Sequence, residues 1–225
     1  MESNGLTYQQ QAYQYIRQQI FSVGLKPGEY ITDSQIAVQL KISRTPVREA
    51  FHRLEKEGLL VYEARRGWKV YVLSLEDIEE IFDLKLTIEG MTARRAAECQ
   101  DDRLHVDLQR AMDDLRNAAQ AKDLEAWTEA DGRLHDVIFS MADNQRASAI
   151  IQNLNDQWHR VRAGFVARTG RMEQSVIEHE GFVAAILEGR GEQAEKLICE
   201  HLGRVRDELV NLLVNLVLPF VSEGV

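Results

Sequence analysis

Arg44, Thr45 and Arg48 stand close together in the run Ser43-Arg-Thr-Pro-Val-Arg-Glu-Ala50, a pattern able to read DNA. A guanidinium can donate two parallel hydrogen bonds to guanine O6 and N7, which makes arginine the usual base-reading cation. Helix starts also attract phosphate, so Thr45 and the nearby backbone N–H groups can position a protein on the duplex without reading its sequence. Arginines on an arbitrary helix more often just solvate it. Here the neighbouring elements favour the reading role.

A helix is expected from Tyr8 to Val23, with Tyr13, Ile16, Ile20 and Val23 at helical spacing, ending before Gly24 and Pro27. Thr32-Asp-Ser-Gln35 has the form of a capping box, so a second helix should follow Thr32 and bury Ile36, Ala37 and Leu40. The third helix is expected to start near Ser43–Pro46, with Thr45 as cap and Pro46 as first helical residue, and to end at Gly58. Val47, Ala50, Phe51 and Leu54 form its apolar side. Two β-compatible runs, Leu59–Glu63 and Trp68–Leu73, flank Ala64-Arg-Arg-Gly67 and predict a hairpin, or wing, with a basic tip. Glycine permits the tight turn, and cations at the tip suit the negative potential of a narrow minor groove.

The net charge of −9 argues naively against nucleic acid, but it is unevenly spread. Residues 1–73 carry ten Lys/Arg against seven Asp/Glu, and the rest carries seventeen against twenty-nine. A mildly basic head on an acidic body is therefore expected, and only the head's field matters to phosphates. Cys99 and Cys199 are the only cysteines, too few for a disulfide framework or a thiolate cluster, so a reduced cytoplasm is expected. The N-terminus shows no basic segment followed by an apolar run, so no secretion signal is expected. Asn211 and Asn215 interrupt the apolar stretch Leu209–Val217, which is too short to span a bilayer; no membrane is expected as a partner.

Beyond Ser74 the pattern changes. Ser74-Leu-Glu-Asp77 is another capping box, and no proline follows until Pro219. Six helices are expected over 75–98, 102–121, 123–142, 145–168, 173–189 and 191–216, with breaks at Asp101, Lys122, Asp143, Gly170 and Gly189-Arg-Gly191. The fold class is thus mainly α: a winged helix-turn-helix over 1–73 and an all-α antiparallel helical bundle over 74–225.

The head resembles the GntR family of bacterial transcription regulators. The matching residues are Leu25-Lys-Pro-Gly-Glu, Ser43-Arg-Thr-Pro-Val-Arg-Glu-Ala, Arg53-Leu-Glu-Lys-Glu-Gly58-Leu and the wing's Gly67 followed by Val70, within about residues 8–73. The resemblance implies that Ser34, Arg44, Thr45 and Arg48 contact DNA, and that the wing tip at Arg66-Gly67 reaches into the adjacent minor groove. Arg65 either does the same or contacts phosphate.

The body is similar to the helical FCD effector domain of the FadR branch of that family. This likeness is looser and rests on helix count and on Asp131, His135, His179 and His201. Helical spacing agrees with an inward orientation for all four. Asp131 and His135 share a stripe with Trp127, Leu134 and Ile138; His179 lies with Val176, Val183 and Ile186; His201 lies with Leu197, Ile198 and Val205. One buried carboxylate and three imidazoles must satisfy one another, bind water or hold a cation. The donor set suits zinc, nickel, manganese or iron, so a divalent transition metal is the expected cofactor, with ion pairing as the alternative for Asp131 and His135 alone. His52, His105 and His159 lack such company and are expected to be surface or packing histidines.

Family resemblance further implies a small organic or sugar acid as effector. Lys85, at helical spacing after Ile78, Ile81 and Phe82 and four residues before Glu89, is the candidate cation for its far end; the alternative is a lysine snorkelling to the surface. Many relatives carry arginine here, and lysine lacks the bidentate fork. The function expected is a homodimeric regulator, a repressor by family habit, on a pseudo-palindromic operator. Two other classes remain open. One is a regulator for which the metal itself is the signal. The other is a metal-dependent enzyme on the bundle, which the absence of a zinc-protease motif (Val183 stands four after His179), a phosphate loop or a nucleophile elbow disfavours.

Overall fold

The computed structural model describes residues 6–22, 24–169 and 171–216, with the side chains of 159–169, 213, 215 and 216 excepted. Expectations for Val23, Gly170, Val217 and Pro219, and for the side chains of His159 and Asn215, lie outside the described residues. Two compact units emerge, Met1–Leu73 with Asp156–Arg160, and Ser74–Asn155 with Val161–Val225.

In the first unit, α1 (Tyr8–Phe21), α2 (Asp33–Leu40) and α3 (Arg44–Lys56) surround a core that includes Ile16, Ile20, Ile36, Phe51 and Leu54. Capping boxes start two of these helices: Thr7 with Gln10, and Thr32 with Gln35 as the sequence predicts. At α3 the structure corrects the expected cap. Ser43 is the N-cap and makes no side-chain cap bond, while Thr45 and Pro46 are the second and third helical residues. Proline is tolerated there because the first-turn N–H groups have no intrahelical acceptor.

The wing is a three-stranded antiparallel sheet in the order β1 (Tyr30–Ile31), β3 (Gly67–Val70), β2 (Leu60–Glu63). The hairpin is shorter than its apolar runs, and β1 is too short to show alternation in the sequence. Its register on β3, Tyr30 opposite Lys69 and Ile31 opposite Trp68, brings the residues just before α2 alongside the wing. Arg65 (φ 70°) and Gly67 (φ 97°) make the turn, and the left-handed φ explains the glycine.

Among the described residues the regular elements after Ser74 are all helices: α4 (Leu75–Ala96), α5 (Asp102–Ala121), α6 (Leu124–Met141), α7 (Gln145–Thr169), whose residues Asp156–Arg160 group with the first unit, α8 (Met172–Leu187) and α9 (Gly191–Leu216). Side-chain caps from Ser74, Asp101 and Asp123 begin α4, α5 and α6, and left-handed residues at Lys122 and Asp143 break the chain where the sequence predicts. α4 packs on α9, α6 and α8; α5 packs on α6 and α8; α8 packs on α9. Phe82, Leu108, Leu115, Leu134 and Phe182 fill the interior between them. The α4–α9 approach is close, since a Cβ on Gly90 would lie 2.8 Å from Cys199 Sγ. Among the described residues no helix is long and apolar enough to cross a membrane.

Candidate metal centre and DNA-reading surface

Three helices of the body deliver imidazoles to one place. His135 on α6, His179 on α8 and His201 on α9 each offer a ring nitrogen within 4.8 Å of the other two. Ring centroids lie 5.4 Å apart for His135 and His179, and 4.7 Å for His179 and His201, both edge to face. Phe182, wholly buried one turn beyond His179, walls the cluster with an apolar ring. Inward placement thus holds for all three, although His135 keeps a partly exposed edge.

Each ring is oriented by an acceptor at Nδ1. The Ser175 carbonyl oxygen, which can only accept, lies 2.7 Å from His179 Nδ1. Glu178 Oε2 lies 2.5 Å from His201 Nδ1, and Glu89 Oε2 lies 3.2 Å from His135 Nδ1. In a neutral imidazole a proton on Nδ1 leaves Nε2 with a bare lone pair, the form that binds a metal. His179 Nε2 is buried without a hydrogen-bond partner, yet Asp131 Oδ1 is only 3.1 Å away. A lone pair facing a carboxylate at that distance is repulsive unless a cation or a proton lies between. Asp131 therefore joins the cluster through His179, while the three imidazoles are the mutually close set.

The charges around this centre are paired. Burial pushes the His201 imidazole down to about 4, with His179 and His135 adding to the effect against the Glu178 hydrogen bond. Burial also pushes the Glu178 and Glu89 carboxyls up, but hydrogen-bonding and charged neighbours outweigh it and lower both to about 2. For Glu178 these are the His201 hydrogen bond and Arg171; Arg204 Nε also donates to it at 2.8 Å. Arg171 donates to Glu178 at 2.6 Å and to Glu208 at 2.5 Å. For Glu89 they are Lys85 and His135.

Lys85 is buried at 3% exposure, so it does not snorkel. Its Nζ donates to Glu89 at 2.5 Å and to Asn155 Oδ1 at 2.6 Å. Glu89 thus links Lys85 to His135. Neither Glu89 nor Glu178 is singled out by the sequence reading; the available signal is position, since Glu89 lies four residues after Lys85 and Glu178 lies seven after Arg171. Outside the cluster, His52 is exposed and contacts Glu55, and His105 bonds the Cys99 carbonyl.

In the head, Arg44 and Arg48 are neighbours on one face of α3, one turn apart, and both remain more than half exposed. Asp33, the first residue of α2, bonds both. Arg44 donates from Nε at 3.0 Å and Nη2 at 2.7 Å to Oδ1, and Arg48 Nε donates to Oδ2. Burial raises the Asp33 carboxyl, but the two arginines more than offset it and hold it below the usual carboxylate range. Ser34 Oγ donates to Asp33 at 3.3 Å, and Thr45 is exposed on the first turn of α3. At the wing, Arg66 Nη1 donates to the Tyr30 hydroxyl at 3.1 Å, and that hydroxyl bonds Glu63. A cleft of about 440 Å³ between α3 and the wing is lined by Asp33, Arg48, His52, Tyr62, Gly67 and Trp68, together with Thr32. Ser34, Arg44, Thr45, Arg48, Arg66 and Gly67 all lie in this head, and Arg44, Arg48 and Ser34 meet at one carboxylate.

Known proteins share both halves. Residues 8–70 match the bacterial regulatory proteins of the gntR family, and residues 80–204 match the FCD domain. The chain is 28% identical to the HTH-type transcriptional repressor RspR of Escherichia coli over 89% of this chain and 88% of that protein. It is 26% identical to the HTH-type transcriptional regulator YdhC of Bacillus subtilis over 89% and 93%. Among solved structures, E. coli McbR/YncC has the same fold, with a TM-score of 0.76 at 19% identity over 92% of this chain and 98% of that one. A DNA-reading head joined to a helical effector-type body, each matched in turn, places this chain in the GntR family of transcriptional regulators, in the branch carrying an FCD domain, and not among enzymes.

Proposed function

We propose that this regulator is a metal-containing, ligand-responsive repressor that works as a homodimer on a pseudo-palindromic operator in the cytoplasm. Arg44 and Arg48 read bases, Ser34 and Thr45 contact the backbone beside them, and Arg66 with Gly67 enters the adjacent minor groove. The name of RspR supports repression. Two-fold symmetry doubles the specific contacts and allows control through the spacing of two heads.

The observation that carries the metal is the 3.1 Å approach of the unbonded His179 Nε2 to Asp131, inside a cluster whose Nδ1 atoms are already committed. His135, His179, His201 and Asp131 would hold zinc, nickel, manganese or iron. When bound, such an ion supplies a Lewis-acidic position for a carboxylate. Around it, Glu89, Glu178 and the Ser175 carbonyl orient the imidazoles, Phe182 excludes water from one side, and Lys85 offers a cation to the effector's other end.

One observation favours a second reading, in which the metal alone is the signal: Lys85 is already engaged by Glu89 and Asn155, and the Glu89 carboxylate competes with any acid for its charge. Melting temperatures of metal-loaded and chelator-stripped protein across small organic and sugar acids separate the two, because a ligand selective for the folded state raises its melting temperature. Stabilisation by acids in the loaded form alone supports the effector reading; stabilisation by metal with no response to any acid supports the metal signal. No response to metal overturns both.

A further inference from the structure

We propose that Asp33 is a positioning residue for DNA specificity: its carboxylate buttresses Arg44 and Arg48 in a shared orientation with their guanine-reading ends turned outward. The inference rests on the reading of these two arginines as base contacts. A guanidinium carries five N–H donors on two usable edges. Arg44 spends its Nε–Nη2 edge on Asp33 Oδ1, and Arg48 spends its Nε on Oδ2. Arg44 keeps Nη1 and the second N–H of Nη2, and Arg48 keeps both Nη groups, for a terminal edge that can take O6 and N7 of guanine together. Asp33 therefore does not need to release either arginine when DNA binds.

The carboxylate is itself held in place. It is 9% exposed, and it sits on the first residue of a helix whose start is pinned by the Thr32–Gln35 capping box. Ser34 adds a donor at 3.3 Å. The two arginines hold its pKa below the usual carboxylate range, so it is ionised at neutral pH and the buttress is a charge-assisted one. Two long arginines on an exposed face otherwise sample many rotamers, and ordering them on binding weakens the specific complex. The same carboxylate cancels one positive charge in the field felt by phosphates, so its effects on specific and non-specific binding have opposite signs.

The test uses the full-length chain and two duplexes: one selected by the wild type from a randomised pool, and a scrambled one. Asp33→Asn should lower the preference for the selected duplex by about tenfold while affinity for the scrambled duplex stays level or rises. Replacing the selected duplex's guanines with 7-deazaguanine, which lacks the N7 acceptor, should hurt the wild type more than the variant. Full preference retained in Asp33→Asn overturns the proposal, provided Arg44→Ala and Arg48→Ala lose theirs. If those two keep their preference, the reading of α3 fails instead. Should Asp33→Asn not fold, Asp33→Glu keeps the charge on a longer arm and must change base preference at the selected guanines; unchanged preference there also overturns the proposal.

Discussion

His179 and Asp131 face each other with Nε2 3.1 Å from Oδ1, while the opposite nitrogen of the same ring is engaged by the Ser175 carbonyl at 2.7 Å. The carbonyl holds a proton on Nδ1, so the contact needs a proton or a cation between Nε2 and the carboxylate, and the metal proposed above would supply the cation. His179→Ala is expected to abolish stoichiometric metal, measured by elemental analysis after dialysis, with DNA affinity of the stripped protein unchanged. Glu178→Gln should weaken metal affinity by about 10–100-fold, because it loosens His201 without removing a ligand. Full metal retention in His179→Ala sinks the site.

The two α3 arginines proposed to read bases and the wing arginine should behave differently. Arg44→Ala or Arg48→Ala is expected to cost about 1–3 kcal/mol of specific binding and to relax preference at one base. Arg66→Ala should weaken binding with little change in major-groove base preference and reduce the log–log salt slope by about 1, as for a cation lost from the minor groove. Fluorescence anisotropy titrations at several salt concentrations distinguish the two patterns.

Asp33 also predicts a pH dependence. Its folded carboxyl is lowered below the usual 3.8, so its contribution to stability is fully present above that value and is lost as pH falls through the lowered one. Urea unfolding of wild type and Asp33→Asn should show a stability gap that is flat from pH 7 down to about 4 and narrows below it. A gap that widens in acid contradicts the sign.

Lys85 and Glu89 form a buried pair at 2.5 Å that also serves His135. Glu89→Leu alone is expected to destabilise the chain by about 3–5 kcal/mol, since it removes the counter-charge of a buried ammonium. Adding Lys85→Met should recover much of that loss, a coupling read by a double-mutant cycle of unfolding free energies. Simple additivity would show that the two residues act independently.

Gly90 is a point of close approach between α4 and α9. Gly90→Ala places a methyl 2.8 Å from Cys199 Sγ and should cost about 1–3 kcal/mol. Cys199→Ala removes the sulfur, and the double variant should regain most of the stability. Thermal melts of the three variants check this.

Much of the architecture is local and therefore legible in the chain. Capping boxes at Thr32 and Ser74, the breaks at Lys122 and Asp143, and the 3.6-residue stripes carrying His135, His179 and His201 depend on residues within a turn or two of each other. The family motif marks Arg44 and Arg48 in the same local way. What the sequence could not supply is pairing across long separations. The carboxylate of Asp33 reaches Arg44 and Arg48 from another helix, and Glu178 finds His201; Ser175 sits only four residues from His179, but it acts through a main-chain oxygen that every residue type possesses, so its residue type gives no signal. β1 is likewise visible only through its partner strand. Spacing reports which way a side chain faces; which acceptor meets it is decided by packing, because desolvated polar groups take whatever partner the neighbouring helix presents.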